Sequence, residues 1–387
     1  MNRVCSIFAQ LLQLFPRAKF EEAVREQKAE RHARGFSCWG QFVAMMFCQL
    51  GQAKSLREIC NGLMGIEGKL KHLGIGKAPN KSTLAYANEH RPWKLYQVVF
   101  GELLARCHQQ AQGRKKFQFK NKLVSLDSTT IDLCASLFDW AQYKRAKGAV
   151  KLHLLLDHEG YLPCFAHITD GKSSDIAVAR DLKFQPGTIL VMDRGYVDYG
   201  WWERLSKEGV YFVTRLKKDI LWDEVESRQP PQNSNVIRDQ FIRIRPSERL
   251  HMETKFRVVT ILDEKGAELS FLTNHLELGA TTIARIYKDR WQIEIFFKAL
   301  KQLARVKTFV GTSANALKIQ IWTALIAVLM LKYLQLKSSF HWSLSHLVAL
   351  LRQQLFVYRD LYQWLDDPFQ APPVLAGVHD AQLQLVF

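Results

Sequence analysis

The sequence predicts an α/β protein whose central sheet lies in the middle of the chain, between two helical regions. Two short apolar runs, at 123–126 and 188–192, are the main basis for this prediction. Short runs bounded by turn or helix-start residues are typical of buried central strands. Residues 1–118 and 311–387 show helical periodicity instead, so we expect helices before and after the sheet.

The first region, residues 1–118, is predicted to be helical. Ser55 and Glu58 have the spacing of a capping box, in which two side chains bond the free backbone groups at a helix start. A long helix is expected to begin near Ser82 and to continue past Ala105. The stretch between these two helices is long and rich in glycine, which departs from the short turn of a helix-turn-helix motif.

Residues 119–215 are predicted to form the first half of the sheet. In chain order, the expected elements are a strand that ends at Asp127, β-like stretches at 150–156 and 161–168, a helix after Ser174 and a strand that ends at Asp193. Gly160 marks the hairpin turn between the two middle stretches. Three further aspartates fall at turns or at a helix start and are assigned as turn and capping residues. They are Asp157, Asp170 and Asp175.

A β-rich insertion is predicted after the first half of the sheet. Between Asp193 and Glu294 lie 100 residues, far more than a strand-to-helix connection needs. Most of the excess, residues 216–275, alternates in β fashion. The alternating stretches are 236–245, 255–263 and 269–273, and the last two are joined by a turn at 264–266.

A polar stripe lies on the helix predicted within residues 276–310. Tyr287, Arg290, Glu294 and Lys301 fall within about 60° of one another on a helix that turns 100° per residue. The adjoining arc is apolar and is expected to pack on the core. Its members are Ile286, Ile293, Phe296, Phe297 and Leu300. The stripe is therefore either a functional site beside the core or a solvated face with an ordinary i,i+4 ion pair between Arg290 and Glu294.

Three acids on separate elements indicate a particular chemistry. Asp127 and Asp193 are expected to point into the crevice beyond the strand ends, where open α/β sheets bind ligands. A single aspartate at a strand end more often caps the following turn. Together with Glu294 on a basic helix, however, the two aspartates supply the hard oxygen ligands that hold two divalent cations about 4 Å apart for phosphoryl transfer.

The order Asp127, Asp193 and Glu294, with DRGY at 193–196 and the complete Y-x2-R-x3-E-x6-K signature, resembles the DDE transposases of bacterial insertion sequences, specifically the insertion sequence 4 family. The resemblance covers residues 119–310. It implies an RNase H-like catalytic core interrupted by a β-rich insertion. It also implies that the three acids are catalytic and bind Mg²⁺, with Mn²⁺ as a substitute, and that the substrate is double-stranded DNA at transposon ends.

DNA contacts are expected from basic residues around the acids. The residues assigned to DNA binding are Tyr287, Arg290, Lys301, Arg194 and Lys298. In the insertion, Arg238, Arg243 and Arg245 are candidate phosphate contacts, and Trp222 either packs at its entrance or acts as a wedge for a flipped base. With 54 Lys and Arg against 37 Asp and Glu, the formal charge of +17 agrees with a polyanionic partner.

The flanking helical regions have less specific assignments. Residues 1–118 either bind the terminal DNA repeats, as the resemblance implies, or only support the core. Residues 311–387 are expected to cap the core and could also supply a dimer contact. Bringing two transposon ends and target DNA together requires at least two transposase copies, so we expect a homodimer on DNA.

Two other functions fit the same residues. An RNase H-like nuclease or resolvase would cut DNA without joining it. A domesticated DNA-binding regulator would lack catalysis, but the three acids that it could lose are all present.

Other site types are not indicated. The seven cysteines form no C-x2-C pair and have an odd count, so we predict neither a zinc site nor a disulfide framework. The apolar run at 321–331 has 11 residues and is predicted to be a core helix, too short to cross a bilayer. Residues 1–20 lack the cleavage site of a signal peptide. We therefore expect no membrane partner and a cytoplasmic, nucleoid-associated protein in a bacterium.

Overall fold

The computed structural model describes residues 5–31, 33, 35–66, 68–134, 142–144, 147–245, 254–304 and 310–370. These residues form a mixed α/β fold in which one large mixed sheet is surrounded by helices. Six helices precede the sheet: α1 (Ile7–Leu12), α2 (Arg17–Glu26), α3 (Cys38–Gly51), α4 (Leu56–Met64), α5 (Lys81–His90) and α6 (Lys94–Ala111).

Helix α4 begins where the sequence predicts a cap. The Ser55 hydroxyl accepts the backbone N–H of Glu58 at 3.2 Å, and the Glu58 carboxylate accepts the N–H of Lys54 at 2.8 Å. These bonds satisfy donors that a helix start leaves without partners.

The single long helix expected from Ser82 past Ala105 is wrong. Helix α5 ends at His90, and Arg91 has extended backbone angles. The cause is Pro92, because a proline disfavours the helical conformation of the residue before it. The chain then resumes as α6.

Ten strands form a single sheet. They are β1 (Leu123–Cys134), β2 (Gln142–Lys144), β3 (Lys147–Asp157), β4 (Leu162–Asp170), β5 (Ile189–Met192), β6 (Tyr211–Arg215), β7 (Trp222–Arg228), β8 (Val236–Ile244), β9 (Phe256–Leu262) and β10 (Glu268–Thr273). Their order is β2-β3-β1-β5-β6-β10-β9-β8-β7, with β4 paired to β3. The β1–β5 and β5–β6 pairs are parallel, and the other pairs are antiparallel. Helices α7 (Asp175–Asp181) and α8 (Tyr199–Lys207) lie between these strands in the chain.

Within residues 216–275, assigned above to a β-rich insertion, strands β7 to β10 extend the central sheet because β10 pairs with β6. Arg257 on β9 and Asp239 on β8 form a bidentate ion pair at 2.7 Å, with their side chains only 3% and 5% exposed. Arg257 also donates to the carbonyl of Leu276 at 3.2 Å. This buried pair ties two insertion strands to the chain that returns to the core.

The insertion side chains singled out above have varied surroundings. Arg238 pairs with Glu268, and Arg245 pairs with Asp223 at 2.8 Å, whereas Arg243 is exposed. Trp222 is half-buried and packs against the sheet core, as the packing interpretation expects.

The helix expected to carry the polar stripe is two helices, α9 (Ala280–Asp289) and α10 (Trp291–Ala304), with a break at Arg290. The apolar arc is buried as predicted. Helix α9 packs on β6, β9 and β10, whereas α10 packs on α11 (Ala314–Lys337) and β1. The helix is thus interrupted at the residue where its packing partners change.

After α11, the chain forms α12 (Leu344–Gln354) and α13 (Leu361–Asp366). The carbonyls of Leu355 and Val357 accept the N–H groups of Phe8 and Ile7 at the start of α1, which takes them out of helical bonding. The helices from both ends of the chain thus share one apolar core, which also covers one face of β1, β3 and β4.

Helix α11 is the one helix, among those described, that is long and apolar enough to cross a bilayer. It has 24 residues, so the expectation that it is too short is wrong. Its most apolar window is 83% buried by other parts of the protein, which identifies α11 as a core helix. The six cysteines whose side chains are described form no disulfide bond with one another, and the side chain of Cys134 lies outside the described part.

Candidate active site

The two strand aspartates lie side by side. Strand β1 pairs in parallel with β5, and the last paired residues are Leu126 and Met192. Asp127 directly follows Leu126, and Asp193 directly follows Met192. The expectation that β1 ends at Asp127 is wrong, because β1 continues to Cys134 by antiparallel pairing with β3. What ends at Asp127 is the parallel pairing, so a gap opens in the sheet beside both aspartates.

Asp127 lies in a crowded acidic environment. Its side chain is 19% exposed, and its Oδ1 accepts the N–H of Ser128 at 2.8 Å. Burial raises the pKa of Asp127 to about 7; the Ser128 bond and Arg290 oppose the rise, and the nearby Asp193 and Glu294 carboxylates add to it. Negative charge at this position is therefore costly unless a cation is close.

Asp193 caps the short turn that follows β5. Its Oδ1 accepts the N–H of Gly195 at 2.7 Å. A Cβ atom at residue 195 would lie only 2.8 Å from that oxygen, so glycine is needed for this close approach. The DRGY sequence thus fixes the direction of the Asp193 carboxylate. Arg194, the next residue, is exposed.

Arg290 joins the helix acid to the strand acid. Its guanidinium donates to Glu294 Oε1 at 2.6 Å and lies 3.5 Å from Asp127 Oδ2. The i,i+4 ion pair considered above is therefore present, but it is 12% and 28% exposed and faces β1. The second Glu294 oxygen, Oε2, is buried and has no hydrogen-bond partner among the residues that the structure describes. The pair is therefore not part of a solvated helix face.

A cavity of about 520 Å³ opens beside these groups. Its lining residues are Asp127, Ser128, Thr129, Glu294, Phe297, Lys298, Lys301 and Gln302. Lys298 and Lys301 are exposed and form no ion pair with a carboxylate in the part of the chain that the structure describes. Tyr287 lies on the α9 side of the break, with its ring 5.5 Å from the Arg290 guanidinium and 4.7 Å from the Phe271 ring. Asp193 and Arg194 lie outside the cavity lining.

The site residues fit a divalent metal ion by donor type. Asp127, Asp193 and Glu294 offer carboxylate oxygens, which Mg²⁺ and Mn²⁺ prefer. The unpartnered Glu294 Oε2 and the raised pKa of Asp127 both indicate that a nearby cation would be accommodated. Across the described residues, however, no three acidic, histidine or cysteine side chains are grouped closely enough to form a ready-made metal centre. Arg290 instead supplies positive charge between two of the acids.

Sequence inspection missed a buried group beneath the site. Asp289, His158 and Ser125 form a hydrogen-bonded chain, and Lys116 and Tyr161 also donate to Asp289. Although burial favours the neutral form, the bonds from His158 and Lys116 hold the pKa of Asp289 below its ordinary value. The only signal in the sequence was the position of Asp289 directly before Arg290. The residues that bind Asp289 lie more than 120 positions away in the sequence, so the group could not be recognised from it.

A second missed contact supports β1 from the other side. Asp175 lies in the first turn of α7, as expected, but it also accepts the Ser128 hydroxyl at 2.7 Å and lies 3.2 Å from Lys151 Nζ. The residue after Asp127 is therefore held by a side chain that sequence inspection assigned to capping alone.

The chain is similar to known transposases. A family model described as Transposase DDE domain matches residues 118–330, and a model described as Domain of unknown function (DUF4372) matches residues 4–76. “Putative transposase y4zB” of Sinorhizobium fredii is 30% identical over 261 residues, which is 66% of this chain and 71% of that protein. “Probable transposase for insertion sequence element IS5377” of Geobacillus stearothermophilus is 29% identical over 267 residues, covering 68% and 70%.

A comparison of structures finds the piggyBac transposase synaptic complex with hairpin DNA, at a TM-score of 0.46 and 10% identity, over 96% of this chain and 84% of that chain. The family assignment rests on the sequence match, which spans β1, β5 and α10 and so includes all three acids. The chain belongs to the DDE transposase family.

Proposed function

We propose that this transposase binds the terminal repeats of an insertion sequence of the insertion sequence 4 family and catalyses metal-dependent DNA cleavage and strand transfer on an RNase H-like core. One observation supports this proposal above the others. The parallel pairing of β1 with β5 ends at two adjacent aspartates, and Arg290 links the first of them to Glu294 on α10.

The three acids have the catalytic role in this proposal. Asp127, Asp193 and Glu294 hold Mg²⁺, or Mn²⁺ as a substitute. Bound divalent ions supply Lewis-acid activation of the attacking oxygen and stabilisation of the leaving oxygen in an in-line displacement. Arg290 balances the charge of two acids and keeps their carboxylates oriented.

Basic side chains around the acids bind the DNA. Lys298 and Lys301 line the cavity beside Asp127 and Glu294, where they can pair with phosphates of the strand being cut. Tyr287 contacts the DNA strand at the cleavage site, and Arg194, which is exposed directly after Asp193, also binds DNA. Arg290, which is largely buried, contacts a phosphate only at the acids.

The remaining parts of the chain have supporting roles in the proposal. Residues 1–118 bind the terminal repeats, and the formal charge of +17 favours association with DNA. Two copies assemble on the two transposon ends and bring them to target DNA. Such a protein acts in the bacterial cytoplasm, at the nucleoid, where its DNA substrates lie.

The acid triad is tested by Asp127→Asn, Asp193→Asn and Glu294→Gln. Each change keeps the side-chain shape and removes the charge that holds a divalent ion. We expect each to slow Mg²⁺-dependent cleavage of an end-containing duplex by more than about 100-fold, because even changes to groups behind metal ligands cost about 10- to 100-fold. End-DNA affinity should be almost unchanged. Asp170→Asn, at the exposed end of β4, is the matched control and should cleave normally.

Near-normal cleavage by one of the three variants would remove that residue from the triad. The wild-type protein should also join pre-cleaved ends that bear a free 3′-OH to a target plasmid. Efficient cutting without any joined product would favour a nuclease or resolvase, and DNA binding without cutting would favour a regulator.

The raised pKa of Asp127 predicts a pH-dependent stability in the presence of chelator. Because the folded-state pKa, about 7, lies above the ordinary value of 3.8, the folded protein keeps a proton over this interval that the unfolded chain releases. The contribution of Asp127 to stability therefore falls as pH rises from about 4 to about 7. Asp127→Asn should melt at a higher temperature than wild type at pH 8, and this difference should shrink towards pH 5. An equal difference at both values would contradict the assigned burial.

The phosphate contacts are tested by Lys301→Ala and Lys298→Ala. Each variant should lose one phosphate contact, which lowers the slope of log affinity against log salt by about 0.9 for end DNA. Lys207→Ala on α8, an exposed lysine beside Glu203, is the control and should keep the wild-type slope. Unchanged slopes in both cavity variants would show that these lysines do not bind the backbone.

A further inference from the structure

A buried hydrogen-bond chain runs beneath the candidate site. Ser125 Oγ lies 2.7 Å from His158 Nε2, and His158 Nδ1 lies 2.7 Å from Asp289 Oδ2. Because a carboxylate only accepts, Nδ1 donates to Asp289. Two further donors reach Asp289 from other segments. They are Lys116, which precedes β1, and the Tyr161 hydroxyl, which lies in the β3–β4 turn 3.1 Å from Oδ2.

The residue types are those of a nucleophilic triad, but their burial excludes that use. Ser125 is 0% exposed and His158 is 4% exposed, so no substrate carbonyl can reach the hydroxyl. The cavity of about 400 Å³ nearby is lined by His158 but not by Ser125. These three hydrogen-bonded side chains can therefore affect the reaction only through the residues that they hold in place.

Hydrogen bonds and backbone together connect this buried group to the candidate site in a closed ring. Ser125 and Asp127 are two positions apart on β1, so their side chains point to the same face. Asp289 and Arg290 are consecutive at the break between α9 and α10. Ser125 is linked through His158 to Asp289, and Arg290 is bonded to Asp127. The helix break is thus attached to one strand at two points about 7 Å apart along it.

Two attachments fix an orientation that one contact leaves free. Packing on α11 and β1 holds the apolar side of α10, and the Arg290 bridge is a single polar contact between the start of that helix and Asp127. The Asp289 attachment adds a second polar contact at the break, because its carboxylate is held by partners from the linker before β1 and from the β3–β4 turn. Asp289 is also 3% exposed, so leaving it without these donors would be costly.

We propose that His158 and Asp289 are positioning residues that hold Arg290 and Glu294 in register with Asp127, an inference that rests on the proposed cleavage activity. They touch neither DNA nor the reacting atoms. They set the orientation of α10 at the break. This orientation determines how far Glu294 lies from Asp127 and Asp193.

The test compares single-turnover cleavage of end DNA with Mn²⁺, end-DNA affinity, Mn²⁺ binding followed by electron paramagnetic resonance, and thermal melting. Asp289→Asn should cleave about 10- to 100-fold more slowly and bind Mn²⁺ more weakly, as changes behind a metal site do, while its DNA affinity stays within about threefold of wild type. Asp239→Asn, which removes a charge from a comparably buried pair in the insertion, is the matched control. It should be less stable but cleave at the wild-type rate.

A pair of His158 variants separates positioning from general loss of packing. The side-chain amide of His158→Asn can replace Nδ1 towards Asp289, whereas that of His158→Gln reaches the Nε2 position towards Ser125. We expect His158→Asn to recover most of the cleavage rate and His158→Gln to remain slow. If Asp289→Asn does not fold, the cleavage rates of the two His158 variants still test whether the hydrogen bond to Asp289 positions the site.

Wild-type cleavage and Mn²⁺ binding by Asp289→Asn would overturn the inference, as would equal rates for the two His158 variants or an equal slowing by Asp239→Asn. These outcomes leave the proposed function intact. Failure of the wild-type protein itself to cleave end DNA would instead contradict the proposed function.

Discussion

The bridge from Arg290 to both Asp127 and Glu294 is the contact on which the geometry of the site depends. The three side chains are 12%, 19% and 28% exposed, so the charges interact in surroundings with little water. Two partly buried carboxylates repel each other unless positive charge lies between them. The guanidinium supplies that charge, and in doing so it joins the central sheet to α10. Its position at the helix break is therefore as important as its charge.

The sheet explains why the break occurs there. Strands β1, β5 and β6 form a parallel centre, and the insertion continues the same sheet from β6 through β10. Helix α9 covers the insertion half, while α10 belongs to the helical core shared by the two ends of the chain. The acids lie where these two packing surfaces meet, so any movement between them would change the separation of Glu294 from Asp127.

Local sequence signals predicted strands β1, β3, β4, β5, β8, β9 and β10, whereas β2, β6 and β7 were not predicted. The apolar runs before Asp127 and Asp193 and the spacing around Glu294 are visible without any tertiary information. The break after α5 was equally visible, because Pro92 marks it. The break at Arg290 was not visible in the sequence, because neither proline nor glycine lies there. It arises from the different packing partners of α9 and α10 and from the hydrogen bonds that hold Asp289. The length of β1 was also hidden, because antiparallel pairing with β3 carries it past Asp127.

The central proposal is that Asp127, Asp193 and Glu294 together bind divalent cations when DNA is bound. Anomalous diffraction at the manganese absorption edge, from crystals of the wild-type protein with end DNA and Mn²⁺, tests it most directly. We predict a manganese peak within coordination distance of Asp127 and at least one of the other two carboxylates. Full manganese occupancy elsewhere, with Arg290 still bridging Asp127 and Glu294 and no ion at either acid, would contradict the account.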